Sequence, residues 1–154
     1  MTGGAPECLT KENTAADGAP RFSPDGKWLA TASYDHKILL YDAQTLAKRA
    51  TFVDLALPLR FLVFSPDSKI LAAAYAGNNL QQFGRILSQG PDDTAIVLWD
   101  VAQGKPLRTL PGRYQWIYAL EFSATGKTIY AAYWRRLADG GRTGDLSVWD
   151  VDSG

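Results

Sequence analysis

The sequence is poor in the residues that most often carry catalysis or bind metals. It contains one cysteine, Cys8, and one histidine, His36, in 154 residues. A single cysteine excludes an internal disulfide and a cysteine-based zinc cage. A serine-based triad or a metal site normally needs histidine, and we interpret His36 as a solvated turn residue. We therefore expect no metal site, no cofactor and no enzymatic activity from these residues.

The sequence also lacks net charge, a long apolar run and a targeting signal. Sixteen Lys and Arg residues balance sixteen Asp and Glu residues, which gives no global electrostatic argument for nucleic acid or anionic lipid as a partner. No apolar run approaches the roughly 20 residues that a spanning helix needs. The first residues, MTGGAPECLTKEN, lack the features of a signal peptide. We expect no membrane partner and, by default, a cytoplasmic location.

Three stretches of the sequence align with one another without gaps. They are RFSPDGKWLATASY (21–34), VFSPDSKILAAAYA (63–76) and EFSATGKTIYAAYW (121–134). Self-similarity at a long period indicates a repeat architecture, and SPDG and SPDS have the composition of type I β-turns. The third copy carries Gly126, Lys127 and Thr128, like the end of a phosphate-binding loop, but Glu121 stands where that loop needs glycine. We interpret this stretch as a turn.

Each copy is followed by a second shared segment. These segments are ILLYDAQTLAK (38–48), IVLWDVAQGKP (96–106) and LSVWDVDSG (146–154). Each begins with a run of β-branched and leucine residues that ends in an aromatic residue and an Asp. The alternation of such runs with polar turns predicts a four-stranded antiparallel blade in each repeat. Pro, Gly and Asp interrupt every window long enough for a helix of several turns, so the predicted fold class is all-β.

Through FSPDG and the terminal Trp-Asp pair, residues 21–154 resemble the WD-repeat family of β-propellers. The resemblance implies three consecutive WD-type repeats, each a blade of four antiparallel strands, in a ring that this chain alone does not close. Family members commonly open each repeat with Gly-His, whose histidine joins a buried polar network with a turn Asp and the Trp. The positions that bear on this network are Gly112 and Arg113, Asp35, Asp93 and Thr143. Asp35 and Asp93 match the turn Asp, whereas Arg113 replaces the histidine, Thr143 replaces the third turn Asp and the first two copies lack the Gly-His pair, so we expect an incomplete network.

The repeats divide the chain into four segments. We predict a tail with a poorly formed first strand at 1–20, and repeats at 21–52, 53–110 and 111–154. Because DVDSG at the C-terminus aligns with DVAQG of the second copy, the last strand of the third blade is expected to be missing. Three repeats cannot close a ring of roughly 4–8 blades. We expect a fragment of a longer protein or, alternatively, self-association through open blade edges.

Function on a propeller has to be argued from its loops. The second and third repeats carry inserted loops at 77–93 and 134–144, between their second and third strands, and the connection 111–116 opens on the same face. Arginine and aromatic side chains, which are enriched at binding hot spots, collect in these segments. The predicted partner-binding residues are Phe83, Arg85, Arg113, Tyr114, Trp116, Trp134, Arg135, Arg136 and Arg142. The alternative is that the tryptophans pack within or between blades and the arginines are solvated.

We predict a non-catalytic scaffold that mediates protein–protein interaction through these loops. The alternative is a sensor or regulatory propeller segment of a larger multidomain enzyme whose catalytic domain lies outside this chain. A carboxylate pair from Asp92, Asp93 and Asp139 is a further hypothesis for sugar hydrolysis, although Asp93 occupies the turn position of the repeat. Aromatics interleaved with arginines can also stack bases and hold phosphates, but the zero net charge argues against nucleic acid.

Overall fold

The computed structural model describes residues 20–32, 37–52, 59–75, 81–82, 85–86, 94–112, 116–137 and 139–153. These residues form strands and turns that are arranged in antiparallel sheets. The predicted all-β fold class is therefore confirmed. Within these ranges, no helix has the length and apolar character needed to cross a membrane.

The first sheet has four strands in the order β1-β2-β3-β4. The strands are β1 (Arg21–Phe22), β2 (Trp28–Ala32), β3 (Ile38–Asp42) and β4 (Lys48–Phe52). The strand β1 is only two residues long, and residues 1–19, which include most of the predicted N-terminal tail, lie outside the described part of the chain. All neighbouring strands are antiparallel, which is the arrangement predicted for a blade.

The second sheet repeats this arrangement with an insertion. Its strands are β5 (Leu59–Phe64), β6 (Ile70–Tyr75), β9 (Thr94–Asp100) and β10 (Lys105–Gly112), in the order β10-β9-β6-β5. Between β6 and β9, the short strands β7 (Gln81–Gln82) and β8 (Arg85–Ile86) pair with each other as a separate two-stranded sheet. The insertion of the second repeat therefore contains a short hairpin of its own.

The third sheet has three strands within the described residues. They are β11 (Trp116–Phe122), β12 (Thr128–Arg136) and β13 (Arg142–Asp150), in the order β11-β12-β13. The strands β12 and β13 are nine residues each, longer than their counterparts in the first two sheets. The counterparts of β13 are β3 and β9, which pair with β4 and β10. In the described part of the chain, β13 is an edge strand.

The same side-chain hydrogen bonds shape the turn at the start of each sheet. The Ser23 hydroxyl donates to Asp25 Oδ1 at 2.7 Å and accepts the N–H of Trp28 at 2.9 Å. Ser65 makes the equivalent bonds, to Asp67 Oδ1 at 2.6 Å and from the N–H of Ile70 at 2.9 Å. Since Ser23 and Ser65 are buried, these bonds satisfy hydroxyl groups that water does not reach.

The fourth residue of each turn has a left-handed backbone conformation. Gly26 and Gly126 have φ values of 72° and 73°, and Ser68 occupies the equivalent position with φ 63°. A residue with a Cβ atom is uncommon in this region because of steric strain. The Ser68 hydroxyl accepts the N–H of Asp25 at 3.1 Å, which connects the turn of the second sheet to that of the first.

Each sheet has two faces, which we distinguish by the neighbour that they contact. We define the forward face of the first two sheets as the face directed toward the next sheet in the chain, and that of the third sheet as the face formed by the equivalent residues of its repeat. In the three sheets it consists of Ala30, Ala32, Ile38 and Leu40; Ala72, Ala74, Ile96 and Leu98; and Tyr130, Ala132, Leu146 and Val148. Register confirms these sets, because Ala32 pairs with Ile38, Ala74 with Ile96, and Ala132 with Leu146.

The core consists of two apolar layers between neighbouring sheets. The forward face of the first sheet packs against Leu71, Val97 and Trp99 of the second sheet. The forward face of the second sheet packs in turn against the third sheet, where Ile129 and Ala131 are fully buried. The three blades therefore lie side by side in chain order, with the second blade covered on both faces.

An aromatic pair crosses the first of these layers. Phe52 of β4 stacks on Trp99 of β9, with ring centroids 5.1 Å apart and an interplanar angle of 7°. The Trp99 Nε1 atom is buried, and within the described residues it has no hydrogen-bond acceptor.

Candidate interaction site on the third sheet

The segment 134–144, predicted as an inserted loop, is largely paired β-structure. In the first two sheets the pairing of the second and third strands ends at Ala32 with Ile38 and at Ala74 with Ile96. In the third sheet it continues past the equivalent pair, Ala132 with Leu146, to Arg136 with Arg142. We call residues 134–144 the ribbon. The strands β12 and β13 therefore carry the hydrogen-bonded ladder beyond the blade and into the segment predicted as an insertion.

The tip of the ribbon is closed by three hydrogen bonds. The N–H of Leu137 donates to the carbonyl of Gly141 at 2.8 Å, and the N–H of Gly140 donates to the carbonyl of Leu137 at 3.0 Å. The Asp139 carboxylate accepts the N–H of Gly141 at 2.8 Å. Gly140 has φ 85°, a conformation that glycine adopts without steric cost. Gly140 and Gly141 therefore lie in a tight turn that connects the two paired strands of the ribbon.

Arg142 and Trp134 are in contact on the ribbon. The guanidinium carbon of Arg142 lies 4.9 Å from the centroid of the Trp134 ring. The pairs Trp134 with Gly144 and Arg136 with Arg142 make these two side chains diagonal neighbours across the strands. Such an exposed cation–π contact contributes about 0.5–1 kcal/mol. It holds a planar cation on an indole surface, with Arg142 exposed and Trp134 half-buried.

The structure brings several of the predicted partner-binding positions together. Trp116, the first residue of β11, pairs with Trp134, and Arg135 and Arg136 continue β12 into the ribbon beside Arg142. Arg85 lies apart from them in sequence order, on β8 of the two-stranded sheet. The remaining predicted residues, Phe83, Arg113 and Tyr114, lie outside the described residues.

Comparison with known proteins agrees with the repeat geometry. The family model described as "WD domain, G-beta repeat" matches residues 14–42 and 104–150. Both matches end on the aromatic-Asp pair that closes β3 or β13. Residues 14–42 and 104–150 are therefore similar to WD repeats. The family resemblance inferred from FSPDG and the Trp-Asp pair is confirmed.

Curated proteins with similar sequences are fungal nuclear distribution proteins. The chain is 28% identical to nuclear distribution protein nudF of Aspergillus terreus over 120 residues, which cover 75% of this chain and 26% of that protein. It is 27% identical to nudF of Aspergillus niger over 143 residues, which cover 90% of this chain and 30% of that protein. The WD-repeat chain described here thus spans about a quarter to a third of the length of these relatives.

The Asp residues of the WD-type pairs have a structural role in each blade. The Thr45 N–H and hydroxyl and the Arg49 guanidinium bond to the Asp42 carboxylate and lower its pKa to about 2. The N–H of Gln103 donates to Asp100 at 2.7 Å. The Ser153 N–H and hydroxyl likewise lower the pKa of Asp150. These carboxylates stabilise the turn after the third strand. Within the described ranges, no group of three or more His, Cys, Asp or Glu side chains could hold a metal ion.

A second feature of the third sheet is an exposed apolar face, which the sequence analysis did not identify. On the forward face, Leu146 is 64% exposed, Val148 55% and Tyr130 37%. The alignment of the repeats contains a signal for this difference, because Tyr130 stands where the first two copies have Ala30 and Ala72. The ribbon residue Trp134 continues the same face toward the ribbon tip, because it lies two and four residues after Ala132 and Tyr130 on β12.

Proposed function

We propose that this chain is a non-catalytic WD-repeat scaffold that binds a protein partner through the ribbon. The observation that carries the proposal is the paired extension of β12 and β13, on which Arg142 lies 4.9 Å from the Trp134 ring centroid. A ribbon with a hydrogen-bonded tip presents its side chains with little loss of conformational entropy on binding. The similarity to nuclear distribution proteins supports a binding role and names no partner.

The residue types of the ribbon favour a protein partner. Arg and Trp are enriched among the residues that dominate binding energy at protein interfaces, because each combines a large contact area with a charge or hydrogen-bond donor. Arg135, Arg136 and Arg142 lie within eight positions of one another in sequence, with Asp139 as the only acidic residue of the ribbon. We infer that the complementary surface of the partner is acidic. The other predicted residues, including Trp116 opposite Trp134, would extend this surface.

The test is a comparison of two double variants with equal loss of charge. In Arg135→Ala/Arg136→Ala the ribbon loses two cations, whereas the control Lys105→Ala/Lys127→Ala removes two exposed cations elsewhere. Proteins captured from a cell extract by the immobilised chain would be quantified by mass spectrometry. We expect at least about tenfold weaker capture of specific partners by the ribbon variant, which corresponds to about 1.4 kcal/mol, and unchanged capture by the control.

Two further measurements make the result decisive. Urea denaturation of both variants should give the wild-type midpoint, since substitutions of charged residues away from a core usually change stability by less than about 0.5 kcal/mol. Equal capture by the two variants would remove the ribbon from the proposal. Salt-dependent binding of the wild-type chain to single-stranded DNA or RNA would instead favour the nucleic-acid alternative.

A further inference from the structure

The turns that open the three sheets share a serine and a lysine but differ at a position between them. We call residues 23–27, 65–69 and 123–127 the first, second and third turns. Their sequences are SPDGK, SPDSK and SATGK. Aspartate occupies the third position of the first two turns, whereas Thr125 occupies it in the third turn. The third turn therefore keeps the lysine but lacks the carboxylate.

In the first turn, three groups hold the carboxylate of Asp25. Its Oδ1 atom accepts the Ser23 hydroxyl at 2.7 Å and the N–H of Lys27 at 3.1 Å. Its Oδ2 atom lies 3.2 Å from the ammonium nitrogen of Lys27. The turn therefore binds a negative group with one hydroxyl, one backbone N–H and one cation.

The second turn binds its carboxylate in the same way. The Ser65 hydroxyl and the N–H of Lys69 donate to Asp67 Oδ1 at 2.6 Å and 3.1 Å. The ammonium nitrogen of Lys69 lies 3.8 Å from Asp67 Oδ2. Two copies of the turn therefore show that its third position accommodates an anion between the serine and the lysine.

The third turn has the backbone of the first turn. Gly126 and Gly26 have φ values of 73° and 72°, and each donates its N–H to the carbonyl of the turn serine at 2.9 Å. The N–H of Thr128 donates to the Ser123 hydroxyl at 3.1 Å, which is the bond that Trp28 makes in the first turn. The third positions of the two turns are therefore structurally equivalent.

The side chain at the third position of the third turn is neutral. Thr125 Oγ1 lies 3.1 Å from the Ser123 hydroxyl oxygen, so it takes the place of the carboxylate oxygen that bonds to the serine. The residues of this turn include no Asp or Glu, so the Lys127 ammonium has no carboxylate within its turn. Thr125 and Lys127 are both exposed, which makes the threonine hydroxyl accessible to an enzyme.

We propose that Thr125 is a phosphorylation site and that its phosphate takes the place of the missing carboxylate. A protein kinase transfers the γ-phosphoryl group of ATP to Thr125 Oγ1. The bond from the γ-phosphorus to the bridging oxygen breaks and releases ADP, a bond from phosphorus to Oγ1 forms, and the hydroxyl proton passes to the catalytic base of the kinase. The product carries about −1.5 to −2 charges at pH 7 and three acceptor oxygens. These oxygens accept the N–H and the ammonium group of Lys127.

The phosphorylation site lies away from the ribbon. The strand β12 begins at Thr128, next to the third turn, and ends at Arg136 in the ribbon, so the two sites are at opposite ends of one strand. The proposal therefore does not depend on the function proposed for the ribbon. The third turn also approaches the second turn, because a Cβ atom on Gly126 would lie 3.4 Å from Pro66 Cδ. A phosphate that fixes the third turn thus stabilises a place where two blades meet.

The first experiment determines whether Thr125 is phosphorylated in the cell. The full chain is isolated with phosphatase inhibitors from the cells that produce it and is digested with trypsin, and the peptide 114–127 is sequenced by mass spectrometry. We expect phosphate on Thr125. Thr125→Val should abolish phosphorylation of this peptide, whereas Ser123→Ala and the ribbon variant Arg135→Ala/Arg136→Ala should retain it. An unmodified peptide, or phosphate on Ser123, would overturn the proposal.

The second experiment measures whether the turn holds the phosphate. Phosphothreonine is introduced at position 125 by genetic encoding, and the urea midpoint of the full chain is compared with that of the unmodified chain. We expect the phosphate to raise the midpoint, and Lys127→Ala to remove this increase. The double-mutant cycle should give a coupling of at least about fivefold in the folding equilibrium constant.

Lys27→Ala is the matched control for this cycle, because it removes the equivalent lysine of the first turn. The increase caused by phosphate on Thr125 should persist in this variant. Thr125→Asp, which supplies a carboxylate directly, should raise the midpoint in the same lysine-dependent way. A phosphate that lowers the midpoint, or an increase that survives Lys127→Ala, would show that the third turn does not bind the phosphate as the first two bind their carboxylates.

Discussion

The second and third sheets carry the same repeat but differ in what their forward faces contact. Ile96 and Leu98 of the second sheet are buried against the third, whereas their equivalents Leu146 and Val148 are more than half exposed. All four are aliphatic, so residue type does not explain the difference. In a row of blades, a face is buried only where a neighbouring sheet covers it. The comparison teaches that equivalent aliphatic positions of the repeat are buried where a second described sheet covers them and exposed where none of the described sheets does.

The largest expected effect is a loss of stability on substitution of Ile96 in the second sheet. Ile96→Ala should lower the free energy of unfolding by about 2–5 kcal/mol, because it leaves a cavity between the second and third sheets. Leu146→Ala, at the equivalent position of the third sheet, should change it by less than about 0.5 kcal/mol. Urea denaturation of both variants, followed by tryptophan fluorescence, gives the two values. Equal losses would show that Leu146 is covered in solution.

An intermediate effect is expected at the turns that open the two sheets. Ser65 is 1% exposed, and its hydroxyl bonds to Asp67 and to the N–H of Ile70. Ser65→Ala should therefore lower the free energy of unfolding by about 1–3 kcal/mol, because it leaves buried polar groups unpaired. Ser123 is half-buried, and its partners lie farther away, with the Thr125 hydroxyl and the N–H of Thr128 both at 3.1 Å. Ser123→Ala should therefore be the milder change, as measured by the urea midpoint. A larger loss for Ser123 would contradict this order.

The smallest expected effect is the pH dependence of the unfolding midpoint, which arises at the turns that open the first and second sheets. Hydrogen bonds from Ser23 and Ser65 lower the pKa of Asp25 to about 2 and that of Asp67 in the same direction, from an ordinary value of 3.8. A carboxyl whose pKa is lower in the folded state contributes stability that is full above about pH 4 and is lost as the pH falls toward about 2. Asp25→Asn and Asp67→Asn should each flatten the decrease of the urea midpoint in this interval.

The third sheet provides the control for this prediction. Thr125 occupies the position of Asp25 and Asp67, and a hydroxyl does not titrate in this range. Thr125→Ser should therefore leave the pH profile of the unfolding midpoint unchanged. A profile that is the same for wild type, Asp25→Asn and Asp67→Asn would assign the acid sensitivity to other carboxyls, such as Asp42 and Asp150.

Much of the fold could be predicted from the sequence because it is local. The serine and the aspartate of SPDG and SPDS specify a hydrogen-bonded turn, and the runs that end in Tyr41, Trp99 and Trp149 have the composition of strands. Three copies of this order leave little choice of topology. The fold class and the family were obtained in this way, and both are confirmed by the structure and by the family match.

The form of the candidate site could not be predicted in the same way. The sequence ADGGRTG (138–144) has loop composition, yet β13 begins within it at Arg142, where the backbones of Arg142 and Thr143 pair with those of Arg136 and Arg135. That register sets the contact between Trp134 and Arg142, which are eight residues apart in sequence. The exposure of Leu146 depends on a neighbouring sheet, and sequence periodicity carries no information about which neighbour is present.

The two core layers also determine how a disturbance travels through the molecule. One layer joins the first sheet to the second and the other joins the second to the third. The three described blades therefore behave as a series of coupled units, in which the second blade opens only by breaking both of these interfaces. Amide protons of β6 and β9 should accordingly be the last to exchange. A structural change that begins at the ribbon reaches the first blade only after passing through the second.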